Sequence, residues 1–240
     1  MKLDTVTELP EKFVLTKEFK DTYDLINKTD TNLFITGKAG SGKSTLLEYF
    51  RQNTNKNFAT LAFQGITAIK AKGQTIHSFF KLGPHFLSKD DVKELRDKQV
   101  IQNLDTILID EISMVRADLF DAIDLSLKKN RKNDKPFGGV QMVLFGDVMQ
   151  IDPIVGSDDE VMEKFYPNGP FFFNSKSYSK KDFKQIELTK IFRQSDKKFV
   201  NLLNKIRMNK LQNEDLSILN NQLINREEVP KDTIILAPTN

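Results

Sequence analysis

Residues 37–44 read Gly-Lys-Ala-Gly-Ser-Gly-Lys-Ser, the spacing G-x-x-x-x-G-K-[ST]. Every position in that pattern suits the holding of a polyphosphate. Gly37, Gly40 and Gly42 let the backbone curl around Ser41, so that its N–H groups converge on phosphate oxygens. Lys43 brings a point charge to the β- and γ-phosphates, and the Ser44 hydroxyl suits Mg²⁺. The helix that Ser44 and Thr45 begin would aim its N-terminus at the same phosphates. The chemistry implied is the binding of ATP with Mg²⁺.

Asp110-Glu111 is the second constellation, directly after the apolar run Thr106-Ile107-Leu108-Ile109. In an open α/β sheet the carboxyl ends of the strands form the ligand crevice, so these acids should share an edge with the phosphate loop. One carboxylate can hold Mg²⁺, and its neighbour can take a proton from an attacking water. Asp110 is assigned to the metal and Glu111 to the base. Alone, the pair would fit a helix N-cap equally; behind a complete phosphate loop the catalytic reading prevails.

Three further segments carry polar groups. Gly146-Asp147-Val148-Met149-Gln150 ends another apolar run, and Gln150 could hydrogen-bond a γ-phosphate or its attacking water. An ordinary strand-to-loop turn explains it as well. Arg193 has the planar, permanent charge that stabilises a transferring phosphoryl group, although pattern alone favours a surface arginine. Thr75, His77 and Ser78 surround one apolar anchor and suit a nucleic-acid backbone, with Phe79 or Phe80 for stacking. A helix cap at Thr75 over two core phenylalanines is the simpler account of those residues.

The elements that must position these groups alternate. Strands are expected at 32–36, 58–63, 106–109, 141–145 and near 186–188, with helices at 44–50, 65–72, from about 116, at 196–209 and at 213–224. Residues 1–30 read as a polar leader followed by a helix. Residues 82–104 change character, with a charged run and a helix start signal at Ser88, and read as a small surface insertion on the main sheet. Thr233 to Ala237 reads as a last apolar strand. The alternation argues for an α/β fold with a mostly parallel sheet and helices on both faces.

Bulk composition narrows the classes. A chain of 240 residues with 39% hydrophobic and 29% charged residues can form a packed core. Thirty-six basic against 33 acidic residues give a net charge of +3, too mild to argue for nucleic acid by itself. With no Cys and only two His, disulfides and thiolate metal sites are excluded and a zinc centre is not expected. The N-terminus lacks a signal-peptide stretch and no run approaches a membrane span, so a cytoplasmic protein is expected.

Five blocks then stand in a recognisable order: GKAGSGKST, GITAIKAKGQTIHSFF, LIDEISMVRADLFDAID, PFGGVQMVLFGDVMQIDP and LTKIFRQSDKKFVNLLNKIR. From about Asn32 to Asn240 the chain resembles the PIF-type (petite integration frequency) DNA helicases of superfamily one, group B, which are related to RecD-like enzymes. The resemblance implies a RecA-like P-loop domain over 31–232 and the start of a second such domain at 233–240. It implies ATP hydrolysis driving five-prime to three-prime movement on single-stranded DNA. It also implies roles in repair, recombination and telomere maintenance. Gly37 to Thr45 looks like the family's ATP loop, and Asp110 and Glu111 like its Mg²⁺ ligand and base. Gln150 looks like its γ-phosphate sensor and Arg193 like an arginine on the γ-phosphate. Gly65 to Ala71 and Thr75 to Ser78 look like motifs that grip single-stranded DNA. The segment 82–104 looks like a wedge. Implied partners are single strands and duplex junctions, with no membrane and a monomeric state.

The chain also departs from the family pattern. The upstream adenine-reading Gln has no counterpart in Lys17-Glu18-Phe19-Lys20. Phe63-Gln64 stands where Pro-Thr is usual, and Ile151-Asp152-Pro153 where Leu-Pro-Pro is usual. These 240 residues alone are expected to bind ATP weakly, hydrolyse it slowly and leave duplexes wound, because a second-domain arginine completes the cleft. The rival readings are another P-loop enzyme such as a kinase, or a non-catalytic nucleotide- or DNA-binding module.

Overall fold

The computed structural model describes residues 9, 14–190, 197–225, 229, 230 and 233. Thr16 caps the first helix, α1 (Lys17–Lys28), with its hydroxyl accepting the Phe19 N–H at 3.3 Å. There follow β1 (Asn32–Gly37), α2 (Lys43–Asn53), β2 (Phe58–Ala62), α3 (Gly65–Lys70), β3 (Gln74–Thr75), α4 (Ile76–Phe80) and α5 (Gln99–Gln102). The chain continues through β4 (Thr106–Asp110), α6 (Ala117–Arg131), β5 (Gln141–Phe145), α7 (Asp159–Phe165) and β6 (Phe183–Leu188). The six strands form one parallel sheet in the order β3-β2-β4-β5-β1-β6.

The central strands are apolar at consecutive positions because both faces are covered. Neighbouring side chains leave a strand on opposite sides. Leu33, Ile35, Leu108, Val143 and Phe145 join Phe19 and Ile26 of α1 and Leu46 and Phe50 of α2 in one core. Phe34, Ile107, Ile109, Met142 and Leu144 join Ile76, Phe80, Leu119, Phe120 and Ile123 in the other. Burying one such large apolar side chain stabilises by about 1.5–3 kcal/mol, so this two-sided filling holds the sheet edge that carries the site.

The segment 82–104 differs from its expected form. Only a 3₁₀ turn at Lys89–Asp91 and the short α5 form within it. The start signal at Ser88 is satisfied locally, with the Asp91 carboxylate accepting from both Ser88 N and Ser88 Oγ. The backbone beyond is then drawn off helical geometry by α6: Lys129 Nζ donates to Val92 O at 2.9 Å, and Leu95 N donates to Asn130 Oδ1 at 2.8 Å. Leu87, Val92, Ile101 and Leu104 are buried in the core. The segment is therefore knitted to α6 rather than laid on the sheet surface.

Residues 195–240 form a compact unit of their own. It holds α8 (Lys197–Arg207) and α9 (Asn213–Asn220), joined by Lys205 Nζ donating to Asp215 Oδ1 at 2.7 Å. The strand expected at 233–237 lies outside the described residues except for Thr233. No helix among the described residues is long and apolar enough to cross a membrane.

Candidate nucleotide and single-strand site

β1 ends at Gly37, and the loop that follows delivers α2 with Gly42 at its N-cap. Gly42 has φ 90° and ψ 17°, a left-handed conformation that a side chain would disfavour. No side chain caps α2, whose N-terminus faces the loop in the position a phosphate would need. Lys43 Nζ donates to Gly37 O at 2.6 Å, which folds the ammonium back over the loop it would serve. The Ser41 hydroxyl is buried and, among the described residues, has no hydrogen-bond partner. Ser44 is exposed and Thr45 half-buried.

Asp110 ends β4 next to this loop. Its carboxyl is pushed up to about 6, first by burial and then by the neighbouring Glu111 charge. The Glu111 N–H, donating to Asp110 Oδ1 at 3.0 Å, and the Lys43 ammonium act in the opposite direction. Lys43 and Asp110 therefore feel each other electrostatically across the crevice. Glu111 takes the left-handed conformation φ 52°, ψ 49°, a strain of order 1 kcal/mol for a residue with a side chain. A carboxylate and a hydroxyl, the groups that Asp110 and Ser44 carry, are oxygen donors that suit a hard divalent ion such as Mg²⁺. Among the described residues no cluster of three acidic, His or Cys side chains competes for a metal.

β5 brings Gly146 to the same edge. A Cβ built on Gly146 would lie 2.8 Å from Ile112 Cγ2 and 3.1 Å from Ile112 N, so the exits of β4 and β5 touch without a side chain between them. The turn beyond is organised by Asp147, itself 1% exposed. Its Oδ1 accepts the Met149 N–H and its Oδ2 accepts Gln150 Nε2. The Ser113 hydroxyl, two residues past Glu111, is buried with no partner among the described residues. Arg193 lies outside the described residues.

The candidate DNA-gripping residues gather at the ends of β2 and β3. Gly65 opens α3 with open space where a Cβ would sit, so the protein itself does not demand a glycine there. Thr75 caps α4, its Oγ1 accepting the Ser78 N–H at 3.2 Å, and Ser78 is exposed. Burial and the Arg116 guanidinium push His77 below the usual histidine range, partly offset by Asp118. Phe80 is a core residue at 2% exposure and is no stacking platform, whereas Phe79 is half-buried against that core. α4 turns Ile76 and Phe80 into the core.

Several residues around the site carry no recognisable local motif. Asp118, Asp121 and Asp124 line one side of α6 at three-residue spacing, and each accepts backbone N–H groups from another loop. Asp118 takes Leu87 N, Asp121 takes Lys176 N and Ser177 N, and Asp124 takes Phe137 N. Arg131 donates to the carbonyls of Ile101, Leu104 and Gly138. Arg116 is clamped between Asp118 and Asp158. The three-residue repeat of aspartates is the one sequence signal that could have singled out this anchoring face.

The PIF1-like helicase family model matches residues 14–217. The ATP-dependent DNA helicase RRM3 of Saccharomyces cerevisiae is 36% identical over 208 residues, covering 82% of this chain and 28% of that protein. The ATP-dependent DNA helicase PIF1 of Homo sapiens is 32% identical over 188 residues, covering 76% of this chain and 28% of that protein. The crystal structure of Pif1 helicase from Bacteroides in complex with ADP-AlF3 and ssDNA superposes with a TM-score of 0.83 at 37% identity. That match covers 92% of this chain and 52% of the crystallised one. The chain thus spans under a third of these two curated helicases and about half of the crystallised one. Its phosphate loop, acid pair and Gln-bearing turn share one edge of a parallel sheet, and the match runs through nearly all of that unit. The chain belongs to the PIF1-like helicase family and is homologous to the helicase motor domain.

Proposed function

We propose that this chain is the ATP-binding half of a motor that couples ATP hydrolysis to movement along single-stranded DNA. The observation that carries the reading is the meeting of Lys43 and Asp110 at one edge of the sheet, close enough that the ammonium opposes protonation of the carboxyl. Lys43 leaves the loop carbonyls to meet the β- and γ-phosphates, while the N-terminus of α2, which carries no side-chain cap, faces the phosphate oxygens. Ser44 and Asp110 would hold Mg²⁺, which when bound neutralises charge on the phosphate oxygens. Glu111 accepts the proton of the attacking water, and Gln150 reports the γ-phosphate to the turn that bears it. Arg193 adds charge stabilisation. Gly65, Thr75, His77 and Ser78 hold the strand mainly along its backbone. Single strands and forked duplexes, named for the crystallised relatives, are the proposed DNA partners.

The test is calorimetric titration with ATP–Mg²⁺ alongside phosphate release with and without a single-stranded oligonucleotide. The 240 residues alone should bind ATP weakly and turn over slowly, with stimulation by DNA. Lys43→Ala should lose most nucleotide affinity while keeping the fold; equal affinity would remove the phosphate-loop assignment. Turnover indifferent to DNA would leave a nucleotide-binding enzyme without a DNA-coupled motor.

A further inference from the structure

A cavity of about 440 Å³ lies between Phe63, just ahead of the first candidate DNA-gripping segment, His77 of the second, and the loop beyond Gln150. Phe63 ends the first approach, directly after β2, and His77 belongs to the second. Their rings stand 5.5 Å apart at 66°, forming a corner of two aromatic planes. Ile154 and Asp158 from the loop beyond Gln150 close another side, and Arg116 contributes a third wall. Ile154 is 61% exposed, an apolar side chain left at the mouth with little of its own to cover it.

The charge in this cavity is already spoken for. Arg116 donates through Nε and Nη2 to the two oxygens of Asp118, through Nη1 to Asp158 and through Nη2 to His85 O. Two carboxylates thus match one guanidinium, so the wall is poorly suited to attract a phosphate. What remains is a partly apolar recess with an aromatic corner and fixed polar edges. That is the chemistry of a nucleobase, which buries two π-faces and hydrogen-bonds at its rim. The volume exceeds what one base occupies and the opening adjoins the residues proposed to hold the strand.

We infer that this cavity receives one unstacked base of the bound single strand, against the Phe63–His77 corner. The inference rests on the single-strand reading of Thr75 to Ser78 and deepens it. It also gives a physical role to Phe63, where the family pattern has proline: the ring supplies a stacking face that proline lacks. Because Ile154 and Asp158 sit on the loop that continues from Gln150, a base in the slot touches the same segment that carries the candidate γ-phosphate sensor.

An abasic scan tests it. Fluorescence anisotropy measures the affinity of the 240-residue chain for a short labelled oligothymidylate and for versions with one abasic site at each position in turn. One position should weaken binding by about tenfold, the others far less. Phe63→Leu keeps apolar bulk against the core and removes the aromatic face. It should weaken the intact strand by a similar factor and leave the affinity for that one abasic strand nearly unchanged. A flat scan, or an equal loss on both strands in Phe63→Leu, overturns the base slot. If no oligonucleotide binds even at low salt, the single-strand reading itself fails; if the intact strand binds and the scan is flat, only the slot does.

Discussion

Gln150 Nε2 donates to Asp147 Oδ2 at 3.0 Å, so the amide expected to face the γ-phosphate is held by a carboxylate three residues upstream. The other oxygen of that carboxylate accepts the Met149 N–H at 3.1 Å, and Gln150 N donates to Asp147 O at 3.0 Å. One buried side chain therefore defines both the turn and the direction of its candidate sensor.

Asp147→Ala should uncouple the sensor without emptying the site. The expected outcome is a fall of about tenfold in DNA-stimulated turnover with little change in ATP affinity, since the group acts through Gln150. Asp147→Asn, which keeps an acceptor for Met149 N, should recover part of the loss. Comparing turnover number and nucleotide affinity across the three proteins checks this; equal loss of affinity and rate would make Asp147 merely structural.

Gly146→Ala should be costly although glycine there has ordinary backbone angles. The new methyl would lie 2.8 Å from Ile112 Cγ2 and 3.1 Å from Ile112 N, forcing the exits of β4 and β5 apart. Overpacking of this kind destabilises by about 1–3 kcal/mol. Urea unfolding of the two proteins measures it, and an unchanged midpoint would mean that the two loops yield freely.

Glu111→Gln should preserve ATP–Mg²⁺ binding and abolish most turnover. The substitution keeps shape and removes the proton acceptor, an effect of about 10²–10⁴ in rate. Calorimetry paired with single-turnover phosphate release separates binding from chemistry. Hydrolysis at the parent rate would assign the base elsewhere.

His77 should contact DNA as a neutral ring. Its proton affinity is lowered in the fold from the ordinary 6.5, first by burial and then by Arg116. A histidine shifted down stabilises the fold above its unfolded value, and that contribution is lost as pH falls below about 6.5 toward the folded value. His77→Gln should therefore lose less stability than the parent between pH 7 and 5.5 in thermal melts. It should also leave the salt dependence of oligonucleotide binding unchanged, because each phosphate neutralised by a cation adds about 0.7 to the slope. A shallower slope in the variant would show that His77 binds as a cation.

Much of the fold can be read locally. The phosphate loop, the apolar runs of β1, β4 and β5 and the acid pair after β4 each announce themselves within a few residues, because strand pattern and loop chemistry are short-range. The helix start signal at Ser88 is the instructive exception: it opens only a 3₁₀ turn, and the backbone beyond it bonds to Asn130 and Lys129 on α6. Phe79 and Phe80 likewise look available for stacking until α4 docks and buries the second of them.

By itself the sequence determined which groups are present: the G-x-x-x-x-G-K-S loop, the adjacent carboxylates Asp110 and Glu111, and an α/β order that puts both on one sheet edge. Tertiary structure alone decided how those groups are held. Asp147 orients Gln150, Gly146 admits the β4 loop, Asp118 and Arg116 brace the wall of the cavity, and Phe63 meets His77. Asp147 with Gln150 and Arg116 with Asp118 lie within one turn of chain, while Gly146 with Ile112 and Phe63 with His77 join segments whose separation carries no periodic signal. The long-range ones arise only when burial of both sheet faces brings the strand ends together.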